Sequence, residues 1–201
     1  MVAEARTRGL EVCIYRPGRV TGHSRTGASN DGDLFSRILK FCIQTGKIPR
    51  LNASLMTDIV PVDYVSQALV LLSMREDSVD HAFHLVHPCP IEWRDLFRLI
   101  VDLGHPIEEV PFSEWLAARD RYGEEHDDPI LPALDFSPLL RTDESILRTP
   151  DFDSSNTLGR LAGTPVVCPP VDGALLNTYL SRWMQSGHLR PPGTLAAREP
   201  R

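Results

Sequence analysis

Residues 11–16, Glu-Val-Cys-Ile-Tyr-Arg, hold four apolar side chains in unbroken succession. A run of this length between turn signals is what a strand covered on both faces requires. Ahead of it, Ala3, Glu4, Ala5 and Arg6 are good helix formers, and Gly9 stands where a helix would stop. Behind it, Pro17-Gly18 breaks the strand. Helix end, buried strand and loop in this order confine the chain to an α/β architecture. In open α/β sheets ligands bind beyond the carboxyl ends of the strands. The segment from Pro17 to Asp33 is therefore the first place to look for function. It holds Gly18, Gly22, Ser24, Thr26, Gly27, Ser29, Asn30 and Gly32. It is longer than most connections, and small residues let backbone approach a ligand closely.

Further elements follow from periodicity and caps. Asp33 is placed to cap a helix running to Thr45, with Leu34, Ile38, Phe41 and Cys42 on its apolar face and Gly46 as its stop. Ile48 to Leu51 reads as extended. Asp63 is placed to cap a helix through Ser73, with Tyr64 as a core residue. Residues 82–86 alternate as a strand, and Pro90 to Leu103 repeats its apolar residues at helical spacing before Gly104. After residue 105 strand signals thin out. Short helices are expected from Ser113 to Arg121, within Pro129 to Leu140, near Leu158 to Leu161, and from an Asp172 cap to Met184. The expected organisation is an α/β part over residues 1–104, a small helical subdomain over 105–190, and a disordered tail over 191–201.

Composition excludes several functions. Lys and Arg number 21 against 27 Asp and Glu, for a net charge of −6. Without a basic cluster there is nothing to displace counterions from a nucleic acid. No run reaches the length of a membrane-spanning helix, and the first residues lack the apolar stretch of a secretory signal. The expected compartment is the cytoplasm, where Cys13, Cys42, Cys89 and Cys168 stay reduced. No C-x-x-C pair or H-E-x-x-H occurs, so no metal site is expected. His81, His84 and His87 flank a strand, and His84 reads as a packing or capping residue. There is no G-x-S-x-G elbow, no P-loop and no G-x-G-x-x-G.

Residues 12–22, Val-Cys-Ile-Tyr-Arg-Pro-Gly-Arg-Val-Thr-Gly, carry a family likeness. It continues through Ser24-x-Thr26-Gly27-x-x-Asn30-x-x-Asp33, Gln44-Thr45-Gly46-x-x-Pro49, Pro61-Val62-Asp63-Tyr64-Val65-Ser66 and Phe83-His84-Leu85. Trp93, Trp115, Phe152 to Thr157 and Cys168 to Asp172 extend it. Together these resemble the extended short-chain dehydrogenase/reductases, and specifically the terminal thioester reductase domains of nonribosomal peptide and polyketide synthetases, relatives of carboxylic acid reductase. The resemblance implies a Rossmann-like fold, of which residues 1–104 would supply the last strands and helices, with the helical part as substrate-binding subdomain. It implies NADPH as cofactor. It implies a carrier protein as partner, whose phosphopantetheine arm presents an acyl or peptidyl thioester for release as aldehyde or alcohol. Pro17, Gly18 and Val20 match the loop over the nicotinamide, and Arg19 and Asn30 match positions that reach substrate.

One departure shapes the expected activity. The family uses a Tyr-x-x-x-Lys pair, in which the lysine lowers the pKa of the proton-donating tyrosine. Here Tyr15, Tyr64, Tyr122 and Tyr179 are followed at the fourth position by Arg19, Ala68, His126 and Trp183. No catalytic residue is assigned. The expectation is the substrate-binding, C-terminal half of a reductase, inactive alone and completed by an N-terminal Rossmann segment. The rival readings are a non-catalytic module that binds a carrier or pantetheine, and a fragment of an NAD-dependent sugar-nucleotide epimerase.

Overall fold

A computed structural model describes residues 2–30, 32–50, 55–127 and 152–191. The helix expected within Pro129 to Leu140 and the tail from 192 onward lie outside the described residues. Helix α1 (Val2–Thr7) leads through Gly9, in left-handed backbone, to β1 (Ile14–Pro17). β1 starts later than residue 11 because Val12 and Cys13 bond elsewhere. The Val12 carbonyl accepts from Asp80 N and the Cys13 thiol donates to the Ser78 carbonyl, so both are tied to a turn. Nor is β1 covered on both faces: Ile14 and Tyr15 are half-buried and Arg16 and Pro17 exposed.

β2 (Val20–Thr21) and α2 (Leu34–Thr45) follow. Asp33 caps α2 by accepting from Ser36 N, and Gly46 closes it at φ 66°. The buried face is rotated from the expected one. Phe35, Leu39, Phe41, Cys42 and Ile43 point inward, Ile38 packs at the edge, and Leu34 is exposed. Next come β3 (Lys47–Pro49), β4 (Met56–Thr57), β5 (Val60–Pro61) and α3 (Val62–Ser73). Pro61, not Asp63, occupies the cap position of α3, and Asp63 lies inside its first turn with its carboxylate committed elsewhere.

After β6 (Ala82–Leu85), residues Ile91–Glu92 form β7 by pairing antiparallel with β4. That pairing delays α4 (Trp93–Asp102), which begins three residues later than the periodicity from Pro90 suggests. β8 (Glu108–Val110) places a strand in the segment expected to be helical, parallel to β3. α5 (Phe112–Glu125) starts behind Pro111 without a side-chain cap, so Ser113 plays no capping part. α6 (Ser155–Leu161) and α7 (Gly173–Gln185) complete the described chain, α7 capped by Asp172 as expected.

The parallel pairs β1–β6 and β2–β5 form the α/β centre. The edge of β6 away from β1 is covered by α6. The Asn156 amide donates to the Ala82 carbonyl and the Thr157 hydroxyl to the His84 carbonyl. Two apolar clusters hold the molecule. One joins α2, α4, α5 and α7 through Phe41, Leu96, Trp115 and Trp183; the other joins Val60, Tyr64, Ala68, Phe83 and Leu85 to Leu161 and Val166. Each cluster draws on residues from both sides of position 105.

Candidate functional site

The carboxyl ends of β1 and β6 and the amino ends of β2 and β5 meet at the Pro17–Val20 loop. Gly18 N donates to the Leu85 carbonyl, and Val60 N to the Arg19 carbonyl. A Cβ on Gly18 would fall 1.7 Å from Asp58 Oδ2. Residue 18 therefore has no room for a side chain. Asp58 is 8% exposed. Its Oδ1 accepts from His87 N at 2.8 Å, while Oδ2 is buried without a hydrogen-bond partner. Burial pushes this carboxyl's pKa up, opposed by the backbone donors of His87 and Arg19. His87 passes the contact on: its Nε2 lies 3.0 Å from the Pro169 carbonyl and its Nδ1 accepts from Cys89 N. The two histidine contacts fix the Nε2–H tautomer.

Arg19 leaves the loop on the other side. Its Nη1 donates to the fully buried Thr57 hydroxyl at 2.9 Å. Its guanidinium carbon sits 5.1 Å from the Phe35 ring centre and 5.9 Å from that of Trp93. Two aromatic faces and one hydrogen bond thus fix the cation's plane before any ligand arrives. Val20 is exposed beside it.

The glycine-rich loop is fastened down at several points. Asp63 accepts from both the backbone N–H and the hydroxyl of Ser24, at 2.8 and 2.6 Å. Burial alone would raise the Asp63 carboxyl, but these bonds outweigh it and hold the pKa below the usual carboxylate range. Tyr179 of α7 donates to the Gly22 carbonyl and accepts from the Thr21 hydroxyl, and Trp183 donates to Ser29 Oγ. Gly27, at φ 67°, lies so close to α7 that a Cβ would fall 2.6 Å from the Thr178 carbonyl. Asn30 is exposed and closes a turn, its Oδ1 accepting from Gly32 N. It sits at the far end of the loop from Pro17–Val20.

Ser24, His23 and Asp63 are neighbours but do not make a nucleophilic triad. The serine bonds the carboxylate directly, and His23 Nδ1 accepts from Arg25 N rather than relaying a proton. Burial pushes Tyr15, Tyr64 and Tyr179 up to about 12, away from the range a proton donor needs near neutrality. Among the described residues no group of His, Cys, Asp or Glu could hold a metal ion, and no helix is long and apolar enough to cross a membrane.

Sequence reasoning named Pro17, Gly18, Arg19 and Val20, and these are adjacent in space as in sequence. It missed Asp58, Thr57, Phe35, Trp93 and Tyr179. Asp58 carried one signal, a lone charge ahead of the apolar run Ile59-Val60-Pro61-Val62.

Comparison with known proteins shows what this chain resembles. A family model described as male sterility protein, of NAD-binding type, matches residues 1–69. A linear gramicidin synthase of Brevibacillus parabrevis is 33% identical over 92% of the chain. The large chain of the L-2-aminoadipate reductase of Eremothecium gossypii is 31% identical over 96%. Among solved structures, the terminal R domain from the myxalamid PKS-NRPS biosynthetic pathway superimposes over 95% of the chain with a TM-score of 0.82 and 39% identity. The chain is similar to the terminal reductase domains of nonribosomal peptide and polyketide synthetases. It spans 4% and 14% of the two curated relatives and 48% of the solved myxalamid domain. A reductase domain of a non-ribosomal peptide synthetase from Mycobacterium tuberculosis shares the fold, at a TM-score of 0.74 and 20% identity. The likeness covers α1 through α7, so the Pro17–Val20 loop lies in the part of the fold shared with these reductase domains.

Proposed function

We propose that this chain is the substrate-binding portion of a cytoplasmic, NADPH-dependent thioester reductase. It would take a carrier-protein-bound acyl or peptidyl thioester and contribute to its release as aldehyde or alcohol. One observation carries the reading. The Pro17–Val20 loop is clamped by Asp58 at the carboxyl ends of parallel β1 and β6, with a preset Arg19 beside it.

The residues present suit a nicotinamide ring. Gly18 carries no side chain, and Pro17 and Val20 are exposed apolar neighbours. These three would line the ring. NADPH, when bound, would supply the hydride that, with one proton, converts a thioester to an aldehyde and a free pantetheine thiol. Arg19 holds a fixed positive charge where the substrate's carbonyl end would lie. Asn30 is the second candidate for a substrate contact. The proton donor and the grip on the pyrophosphate have no counterpart in this sequence, which lacks Tyr-x-x-x-Lys and a glycine fingerprint. In an active enzyme they come from a Rossmann segment outside these 201 residues.

Calorimetry tests the reading. The chain alone is expected to bind NADPH no more tightly than millimolar and to bind pantetheine thioesters measurably, with Arg19→Ala weakening the thioester about tenfold. Micromolar NADPH affinity, or reduction of a thioester by the purified chain, would overturn it.

A further inference from the structure

From Arg19 an aromatic row leads away from the loop. Phe35 and Trp93 have ring centres 5.7 Å apart, and Trp93 and Phe97 5.6 Å apart. Trp93 both faces the Arg19 guanidinium and lines a small opening of about 20 Å³ with Phe97, Ile48 and Leu55. That opening shares Ile48, Arg94, Phe97 and Glu109 with a groove of about 220 Å³ between α4 and the β3–β8 pair. The groove adds Val101 and Ile107 to its apolar wall. Trp93 is thus a side chain common to the Arg19 contact and the opening that adjoins the groove.

Resting on the reading above, we infer that this groove takes the apolar tail of the acyl group, so that the preferred substrate is an aliphatic acyl thioester rather than a polar peptidyl one. Three observations favour a hydrocarbon over other occupants. Ile48, Phe97, Val101 and Ile107 present no hydrogen-bonding atom. The charged residues that also line it, Arg94 and Arg98 against Asp102 and Glu109, balance and attract neither an anion nor a cation. Arg98 is moreover paired along its own helix with Asp95 at 2.8 Å. Length agrees as well. From Trp93 to Val101, α4 rises about 12 Å at 1.5 Å per residue. An extended hydrocarbon advances roughly 1.3 Å per bond from carbon–carbon bonds of about 1.5 Å, so the groove matches a tail of about nine bonds. Val101, 43% exposed, marks its outer end.

The test compares pantetheine, acetyl-pantetheine and decanoyl-pantetheine binding to the full 201-residue chain, below the decanoyl compound's micelle concentration. Full burial of a methylene is worth about fourfold in affinity. A one-sided groove covers about half of it, giving about twofold per methylene and about 250-fold over the eight methylenes between acetyl and decanoyl. Val101→Glu sets a charge against the tail's end and is expected to cut the decanoyl-to-acetyl ratio about tenfold. Val70→Glu, on the exposed face of α3, controls for adhesion to other apolar surface and leaves that ratio in place. A ratio near one, with pantetheine still bound, overturns the groove and leaves the site reading standing. A large ratio untouched by Val101→Glu places the tail elsewhere and also overturns the groove. Failure of all three compounds to bind overturns both.

Discussion

At the scale of single residues, Asp58 decides what Gly18 must be. Its carboxyl is buried and held from one side by His87 N. A Gly18→Ala methyl would meet Oδ2 at 1.7 Å and the carboxyl carbon at 2.9 Å. Forcing a methyl into such contact costs about 1–3 kcal/mol. Denaturant unfolding of Gly18→Ala is expected to show that loss, and removing the side chain in Gly18→Ala/Asp58→Ala to recover part of it. A second consequence concerns pH. The folded chain raises the Asp58 pKa, so it binds that proton more tightly than the unfolded chain does. The associated stability is present below the ordinary carboxylate range and is lost as pH rises through the raised value. Asp63 runs the other way: its pKa is lowered, so its contribution is present above the ordinary value and is lost as pH falls. Asp58→Asn should therefore reduce the loss of melting temperature that sets in as pH rises above the ordinary carboxylate range, and leave the loss below that range, to which Asp63 contributes. An unchanged slope just above that range would show that Asp58 is already ionised without cost.

At the scale of elements, helix ends were legible where the capping signal is local and obscure where tertiary contacts compete. Asp33 and Asp172 cap α2 and α7 through their own side chains, and Gly46 closes α2 in left-handed backbone, each as its residue type predicts. Asp33→Ala removes an acceptor for Ser36 N and is expected to cost about 1 kcal/mol by denaturant titration. Asp63 carries the same capping chemistry but spends it on Ser24, thirty-nine residues away. Nothing local announces that choice. The same holds for Ile91-Glu92, which reads as the start of α4 until Met56-Thr57 arrives as an antiparallel partner. The site divides in the same way. Pro17–Val20 stood out because Pro-Gly after an apolar run is a local signal. Asp58, Thr57 and Trp93 reach it only through the packing of distant segments, which periodicity cannot display. The α/β class itself was legible because it rests on element order, to which boundary shifts of two or three residues are immaterial.

At the scale of the whole molecule, the exposed face of α3 is mainly apolar and carries no charge. From Tyr64 to Met74 there is no charged residue. Val65, Ala68 and Leu72 enter the core, while Val62, Leu69, Val70 and Met74 remain exposed on the opposite side, Met74 by 80%. Positions 62, 66, 69, 70, 73 and 74 recur at helical spacing, so the exposed residues form one uncharged stripe rather than scattered points. A solvated helix ordinarily lines that face with Lys, Arg and Glu, as α4 does with Arg94 and Arg98. The net charge of −6 keeps molecules apart on average. It acts weakly at a patch that carries none of it, because at physiological salt the field of a charge fades over about 8 Å. The purified chain is therefore expected to self-associate through α3 at concentrations of tens of micromolar. Raising salt should strengthen that association, since salt screens the net repulsion without weakening apolar contact. Sedimentation velocity checks both statements. The Leu69→Lys/Met74→Lys double variant should remain monomeric at concentrations where the parent does not. Its melting temperature should stay near that of the parent, because neither side chain belongs to the buried core. Association that persists in the double variant would move the contact to another surface.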